Sequence, residues 1–188
     1  MEKIQKENLL KILKLARIAI KKGDVKTLRN LSDWTVHDAS IYQSDIYVLV
    51  AVIIYSLSKI YSRENYETYK SYHLYCEDCT GSLEKARVFL EKDDIVSFEN
   101  QLKSFLDKIN KLDKKFKFHV KDIFERAKIH KASRLHEHGI SLGRTAEFLE
   151  ISQFELMNYV GTTGISDVKE NITLSVKERL NNVRNVFK

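Results

Sequence analysis

No proline occurs anywhere in the 188 residues of this chain. Average usage of about 5% would place roughly nine in such a length. Proline breaks helix interiors, removes ladder hydrogen bonds from sheets and favours turns. A chain without it, and with only 6 glycines, is free to run in long helices and lacks the punctuation of a loop-rich β-sandwich. Hydrophobic residues make up 43% and charged residues 31%. That balance supports a packed core and excludes a disordered chain. The length suits one domain, or a larger domain with a small appended module.

The longest apolar run, residues 46–57 (IYVLVAVIIYSL), has 12 residues, well short of the roughly 20 that span a bilayer. A central helix surrounded by others is the expectation, with no membrane partner. Residues 1–14 are charged and helical in pattern, without an apolar secretory core. Two cysteines without such a signal imply a reducing compartment and no disulfide framework. A soluble cytoplasmic protein is expected. No phosphate-binding glycine loop, nucleotide fingerprint or catalytic-triad order is present, and no cofactor is expected. The run 161–164 (GTTG) reads as a helix stop, since no Gly-Lys-Ser/Thr follows.

The net charge of +6 is unevenly spread. Residues 1–30 carry +6, residues 31–100 are acidic, residues 101–138 carry +6 again, and the remainder is neutral. Two basic helices can form a footprint for nucleic acid or an acidic partner. A solvated lysine face on amphipathic helices explains the same pattern and is the commoner case.

Helical spacing places Ile4, Leu9, Ile12, Leu13, Ala16 and Ile20 on one face. Gly23 stops that helix, and Asp24 caps the next, from Val25 to about Val36. Asp38 or Ser44 opens the apolar helix that ends near Tyr61. Residues 62–80 read as a helix with a partly exposed tyrosine face, and Ser82–Leu90 as another. Asp93 and Asp94 are caps for a helix running through Leu112. Phe116, Val120, Ile123, Phe124, Ala127 and Leu135 then keep helical spacing until Gly139. No internal repeat of convincing period is evident.

The sharpest local signal is residues 139–164. Ser141 caps a helix that buries Leu142, Thr145, Ala146 and Leu149. A break at Glu150–Ser152 follows, Ser152 caps a second helix that buries Leu156 and either Tyr159 or Val160, and Gly161 ends it. The small Ala146, ten positions before Leu156, lets the two helices cross closely, as in a helix-turn-helix.

The segment GISLGRTAEFLEISQFELMNYVGTTGI resembles the small helix-turn-helix antitoxin family often paired with PIN-domain toxins. Ile140, Ser141, Leu142, Gly143, Ala146, Glu147, Leu149, Ile151, Ser152, Glu155 and Leu156 carry the match. Glu150 stands where the family usually has its turn glycine. The segment 39–60 (ASIYQSDIYVLVAVIIYSLSKI) also resembles a stretch of archaeal proteins that carry such a module. The two likenesses cover about fifty residues and bring no catalytic motif with them.

Whether such a module binds DNA is a question of charge. A recognition helix presents Arg, Lys, Asn or Gln to base edges, while nearby cations hold phosphates. Between Ser141 and Val160 the only basic residue is Arg144, against Glu147, Glu150 and Glu155. Gln153 and Asn158 are the available base readers. Ser141 and Ser152 complete the candidate nucleic-acid-binding set, and phosphate contacts would need Lys128 or Lys131 from outside the module, or a homodimer pooling two half-sites. A protein-docking or purely structural role is therefore favoured over DNA binding.

The tail, residues 173–188 (TLSVKERLNNVRNVFK), spaces Leu174, Leu180, Val183 and Phe187 helically, with Arg179 and Arg184 among them. Such a helix docks on its own bundle or in a partner's groove. The resemblance implies a C-terminal segment that covers a toxin's carboxylate and metal site, to which Arg179 or Arg184 is electrostatically suited.

Two enzyme-like constellations compete with this. His73, Cys76 and Cys79 have ligand-compatible spacing, but a structural zinc site takes four ligands and His37 is only a distant fourth. Two helical cysteines are more often packing residues, so no metal is assigned. Arg126 and His130, like Arg134 and His138, are spaced at least one residue closer than the Arg–His pair of all-helical HEPN-type ribonucleases, in which imidazole is acid–base and Arg stabilises phosphorane charge. A cation at His138 also suits a helix C-terminus.

The expected architecture is all-α: a helical bundle over 1–138, a helix-turn-helix module over 139–164 and an amphipathic tail helix over 165–188. The expected role is a non-enzymatic, antitoxin-like regulator that binds a protein partner such as a PIN-domain toxin, with DNA as a further partner. A helix-turn-helix transcriptional regulator is the second expectation, and an RNA-binding or RNA-cleaving helical protein the third.

Overall fold

The computed structural model describes residues 1–163, and the tail residues Leu174, Arg179, Leu180, Val183, Arg184 and Phe187 lie outside them. The described residues form helices α1 (Lys3–Lys21), α2 (Val25–Tyr42), α3 (Asp45–Tyr61), α4 (Tyr72–Glu91), α5 (Ile95–Ile109), α6 (Lys114–Glu137), α7 (Leu142–Leu149) and α8 (Gln153–Thr163), with a 3₁₀ turn at Glu64–Thr68. No strand occurs among them. The all-α expectation holds, and no described helix is long and apolar enough to cross a membrane.

The apolar run becomes α3, the central helix, which packs against α1, α2, α5, α6 and α7. Tyr47, Val48, the stretch 50–54, Leu57 and Ile60 are all buried, because a helix apolar on every side must be covered on every side. Small residues let α2 approach it closely. Ser32, Thr35, Ala39 and Ala51 are fully buried, and the Ser32 hydroxyl donates to the Ala51 carbonyl at 2.8 Å. Of the basic helices, α1 packs mainly on α4 and α2 and α6 mainly on α3, rather than extensively on each other.

Several boundaries differ from expectation. Ile4 is 56% exposed, while Leu9, Ile12, Leu13, Ala16 and Ile20 are buried as their spacing requires. α2 runs on to Tyr42 and ends at Gln43 in the left-handed region, φ 47°. Asp38 therefore lies inside a helix, half-buried, with its carboxyl pushed up by burial. The two helices expected between 62 and 90 are a 3₁₀ turn and one continuous α4 that passes through Gly81. A glycine inside a helix costs about 1 kcal/mol. Burial of Tyr75, Cys79, Leu83, Ala86 and Leu90 along α4 outweighs that.

Two turns share a geometry that the sequence pattern did not reveal. Residues 16–30 and 86–100 follow the same course at a constant offset of 70 positions, with Ala, Arg, Lys, Asp and Asn shared at 16/86, 17/87, 22/92, 24/94 and 30/100. Each segment joins two helices through the same turn. Gly23 (φ 64°) and Asp93 (φ 60°) take the left-handed conformation. The next amide reaches back to close the turn, Asp24 to the Ala19 carbonyl at 2.8 Å and Asp94 to the Phe89 carbonyl at 3.0 Å. These are Schellman closures. Asp24 then accepts from the Thr27 amide at 2.9 Å and Asp94 from the Ser97 amide at 3.0 Å. Each is the helix N-cap of the following helix.

The two hairpins meet through antiparallel α1 and α4. Lys6, early in α1, donates to Asp93 Oδ1 at 2.6 Å and to the Glu91 carbonyl at 3.1 Å, past the far end of α4. Near the other end of α1, the equivalent arginines Arg17 and Arg87 both pair with Glu84.

Candidate functional site

The C-terminal third of the described chain is built on α6. Asp113 starts that helix, accepting from the Phe116 amide at 3.0 Å, and Gly139 (φ 90°) stops it. The Ile140 amide reaches back to the Leu135 carbonyl and closes the end. Ser141 caps α7 by accepting from the Arg144 amide at 3.2 Å. α7 ends at Glu150, whose φ of 52° is left-handed, and the Ile151 amide closes on the Ala146 carbonyl. A turn of three residues thus joins α7 and α8, with Glu150 in the conformation that a glycine adopts more readily. The Ser152 carbonyl accepts the first helical bond of α8, from Leu156.

Thr145, Ala146 and Leu149 of α7 and Leu156 and Val160 of α8 are buried. The apolar members of that set join the same core as α1–α6. Leu142 and Tyr159 are only partly buried. α7 and α8 pack on each other and on α6, and α7 also touches α3. This leaves one outward face on α8.

That face is not what a base-reading helix presents. Phe154 is 68% exposed and Met157 54% exposed, with Gln153, Glu155 and Asn158 also open to solvent. α8 carries no Arg or Lys. Gln153 is partly occupied: its side-chain amide lies against Gly143, where an added Cβ would come within 3.3 Å of Nε2.

The cations expected to hold phosphates are engaged elsewhere. Arg144 donates to Glu147 at 2.7 Å and lies over the Phe148 ring at 4.2 Å. It faces a hollow lined by Gln43, Asp45 and Lys103, away from the outer face of α8. Lys128 pairs with Glu125 at 3.6 Å. Lys131 is fully buried, its ammonium 2.8 Å from Asp33 and 4.3 Å from the centre of the Tyr55 ring. Burial lowers its pKa, and the hydrogen bond to Asp33 opposes that shift. A side chain so enclosed does not reach a DNA phosphate.

The other constellations separate as well. His73 is exposed, Cys76 half-buried and Cys79 buried, and both thiols are free. Burial pushes the Cys79 thiol up to about 12 and raises that of Cys76, the opposite of an activated thiolate. Among the described residues no group of three His, Cys, Asp or Glu side chains is placed to hold a metal. His37 packs its ring on His138, with centroids 5.4 Å apart. Arg134 pairs with Glu137, and Arg126 with Asp122 at 3.0 Å. Arg126 and His130 do line one cleft, together with residues of α3 and α8.

Phe154 and Met157 escaped the sequence pattern. Their spacing of three was legible, but Leu156 and Val160 beside them mark an opposite apolar face, and burial of one or the other is decided by where α6 lies. No family model, curated protein or solved structure matches the chain.

Proposed function

We propose that this chain is a non-enzymatic regulatory protein of the antitoxin-like kind, acting by docking a partner protein on the outer face of α8. The observation that supports this is the exposed pair Phe154 and Met157 on a helix without a cation. Large apolar side chains one helical turn apart suit insertion into an apolar groove. Glu155, exposed on the same helix, favours a groove with a basic rim. A PIN-domain ribonuclease is the partner class implied by the resemblance of residues 139–165, and the cytoplasm is the compartment of such a pair. The tail arginines Arg179 and Arg184 are the candidate contacts to that enzyme's carboxylates.

A helix-turn-helix transcriptional regulator is the second reading, favoured by the exposed Gln153 and Asn158. It is the weaker one because Arg144 and Lys128 are paired and Lys131 is buried, and phosphate-led affinity needs free cations.

Co-expression with the product of the adjacent gene tests the first reading. The pair is expected to co-purify, with affinity falling at least tenfold in Phe154→Asp/Met157→Asp and again on truncation after Ser166. Unchanged binding in both variants overturns it. So does tight binding to its own upstream DNA with a steep log–log salt dependence, the signature of several phosphate contacts.

A further inference from the structure

Between α3, α6 and α8 lies a cleft of about 480 Å³ whose lining includes Tyr55, Lys59, Arg63, Arg126, His130 and Tyr159. Its volume falls in the range of small-molecule sites. No acidic residue lines it. Three cations line it, Lys59 of α3, Arg63 just beyond that helix and Arg126 of α6, and only Arg126 has a carboxylate partner, Asp122. Among the described residues neither Lys59 nor Arg63 forms an ion pair. Lys59 lies 5.1 Å from the centre of the Tyr55 ring. Arg63 lies 5.4 Å from the Tyr66 ring centre and donates to its hydroxyl at 2.9 Å. Cations held over aromatic rings are positioned without being neutralised.

The wall beside them is aromatic. The His130 ring stacks on Tyr55, with centroids 4.6 Å apart and planes within 8°. Lys131, fully buried, is the second cation on that tyrosine ring. Tyr159 of α8 contributes to the same lining. Burial, together with the charges of Lys131, Arg134 and Lys59, pulls the His130 pKa down to about 4, with Asp33 opposing. The imidazole is therefore neutral at pH 7, and its Nδ1 is buried without a hydrogen-bond partner. Unneutralised cations beside stacked rings form a pairing of charge and π-surface that suits a phosphate joined to a base.

We propose that the cleft between α3, α6 and α8 binds a nucleoside phosphate, with Lys59, Arg63 and Arg126 holding the phosphate and the His130 and Tyr159 side chains bounding the base. The site is distinct from the outer face of α8. Free nucleotides and the end of a single RNA strand share this chemistry.

Titration calorimetry of the full chain against ATP and UTP, a short labelled single-stranded RNA, and inorganic pyrophosphate tests the proposal. A nucleotide or the RNA is expected to bind saturably and at least tenfold more tightly than pyrophosphate. Lys59→Ala/Arg126→Ala is expected to weaken that binding at least tenfold with its helical circular dichroism unchanged. The His130 imidazole resonances provide a second readout. A bound phosphate dianion favours the charged ring, so the His130 midpoint rises from about 4. Binding of mononucleotides assigns the free ligand, and binding of the RNA alone assigns the strand. Equal affinity for pyrophosphate overturns the proposal. So does the absence of binding, or binding that ignores both substitutions and leaves His130 unmoved.

Discussion

The hairpins α1–α2 and α4–α5 close through the same hydrogen bonds, yet only the first uses glycine at the left-handed position. In the second, Asp93 adopts φ 60°, a conformation that costs an L-residue roughly 1 kcal/mol. Its carboxylate in turn accepts from Lys6 of the first hairpin. The strained residue is thus a contact between the two halves, and the unstrained glycine makes none. A turn of one shape is specified by the capping aspartate and the buried positions around it, with the left-handed residue free to vary.

The largest effects should come from the core positions that the hairpins share. Leu28 and Phe98 occupy equivalent places and both are fully buried. Leu28→Ala should lose about 2–5 kcal/mol and Phe98→Ala about 3–5 kcal/mol in urea unfolding. A loss under 1 kcal/mol at either position would show that the two hairpins are not equally built into one core.

The caps come next. Asp24→Ala and Asp94→Ala should each lower the melting temperature by roughly 2–4 °C. Both carboxyls are held below the ordinary value of 3.8, chiefly by the hydrogen bonds of Thr27 and Ser97. A depressed folded pKa stabilises above the unfolded value and is lost as pH falls through the folded one. The melting-temperature difference between wild type and either variant should therefore be full at pH 6 and shrink below pH 4. A difference independent of pH would remove the charged cap from the comparison.

The turn residues give the smallest and most discriminating effects. Gly23→Ala should cost about 1 kcal/mol through backbone strain alone, since a Cβ there meets nothing within 4 Å. Asp93→Gly relieves strain but gives up the Lys6 contact, an exposed pair worth about 0.2–1 kcal/mol. Its net effect should be a small gain that grows in a Lys6→Ala background. An equal effect in both backgrounds would mean that Lys6 does not offset the strain.

What was legible in the chain was local. Gly23 and Gly139 stop helices where expected, and Asp24, Asp94 and Ser141 cap the next ones, because each acts on amides within a few residues. The likeness of the two turns was hidden because only five of fifteen positions are identical and the left-handed residue is glycine in one and aspartate in the other. Ile4 shared the spacing of the core face yet lies in solvent, and Gly81 passes unnoticed through α4. At the candidate site, Arg144 and Lys131 had the right chemistry on paper. The first is paired with Glu147 and stacked on Phe148, and the second is enclosed against Asp33 and Tyr55.

The sequence by itself determined that the described chain is helical and where most of its helices start and stop. Missing prolines, capping residues and apolar periodicity are read by the backbone over one or two turns. Only the tertiary structure decided which charges are available to a ligand. Asp33 and Lys131 are 98 positions apart and meet at 2.8 Å, whereas Lys59 and Arg63 meet no carboxylate among the described residues. Electrostatic availability depends on distance through space and on burial, and neither is carried by the order of residues.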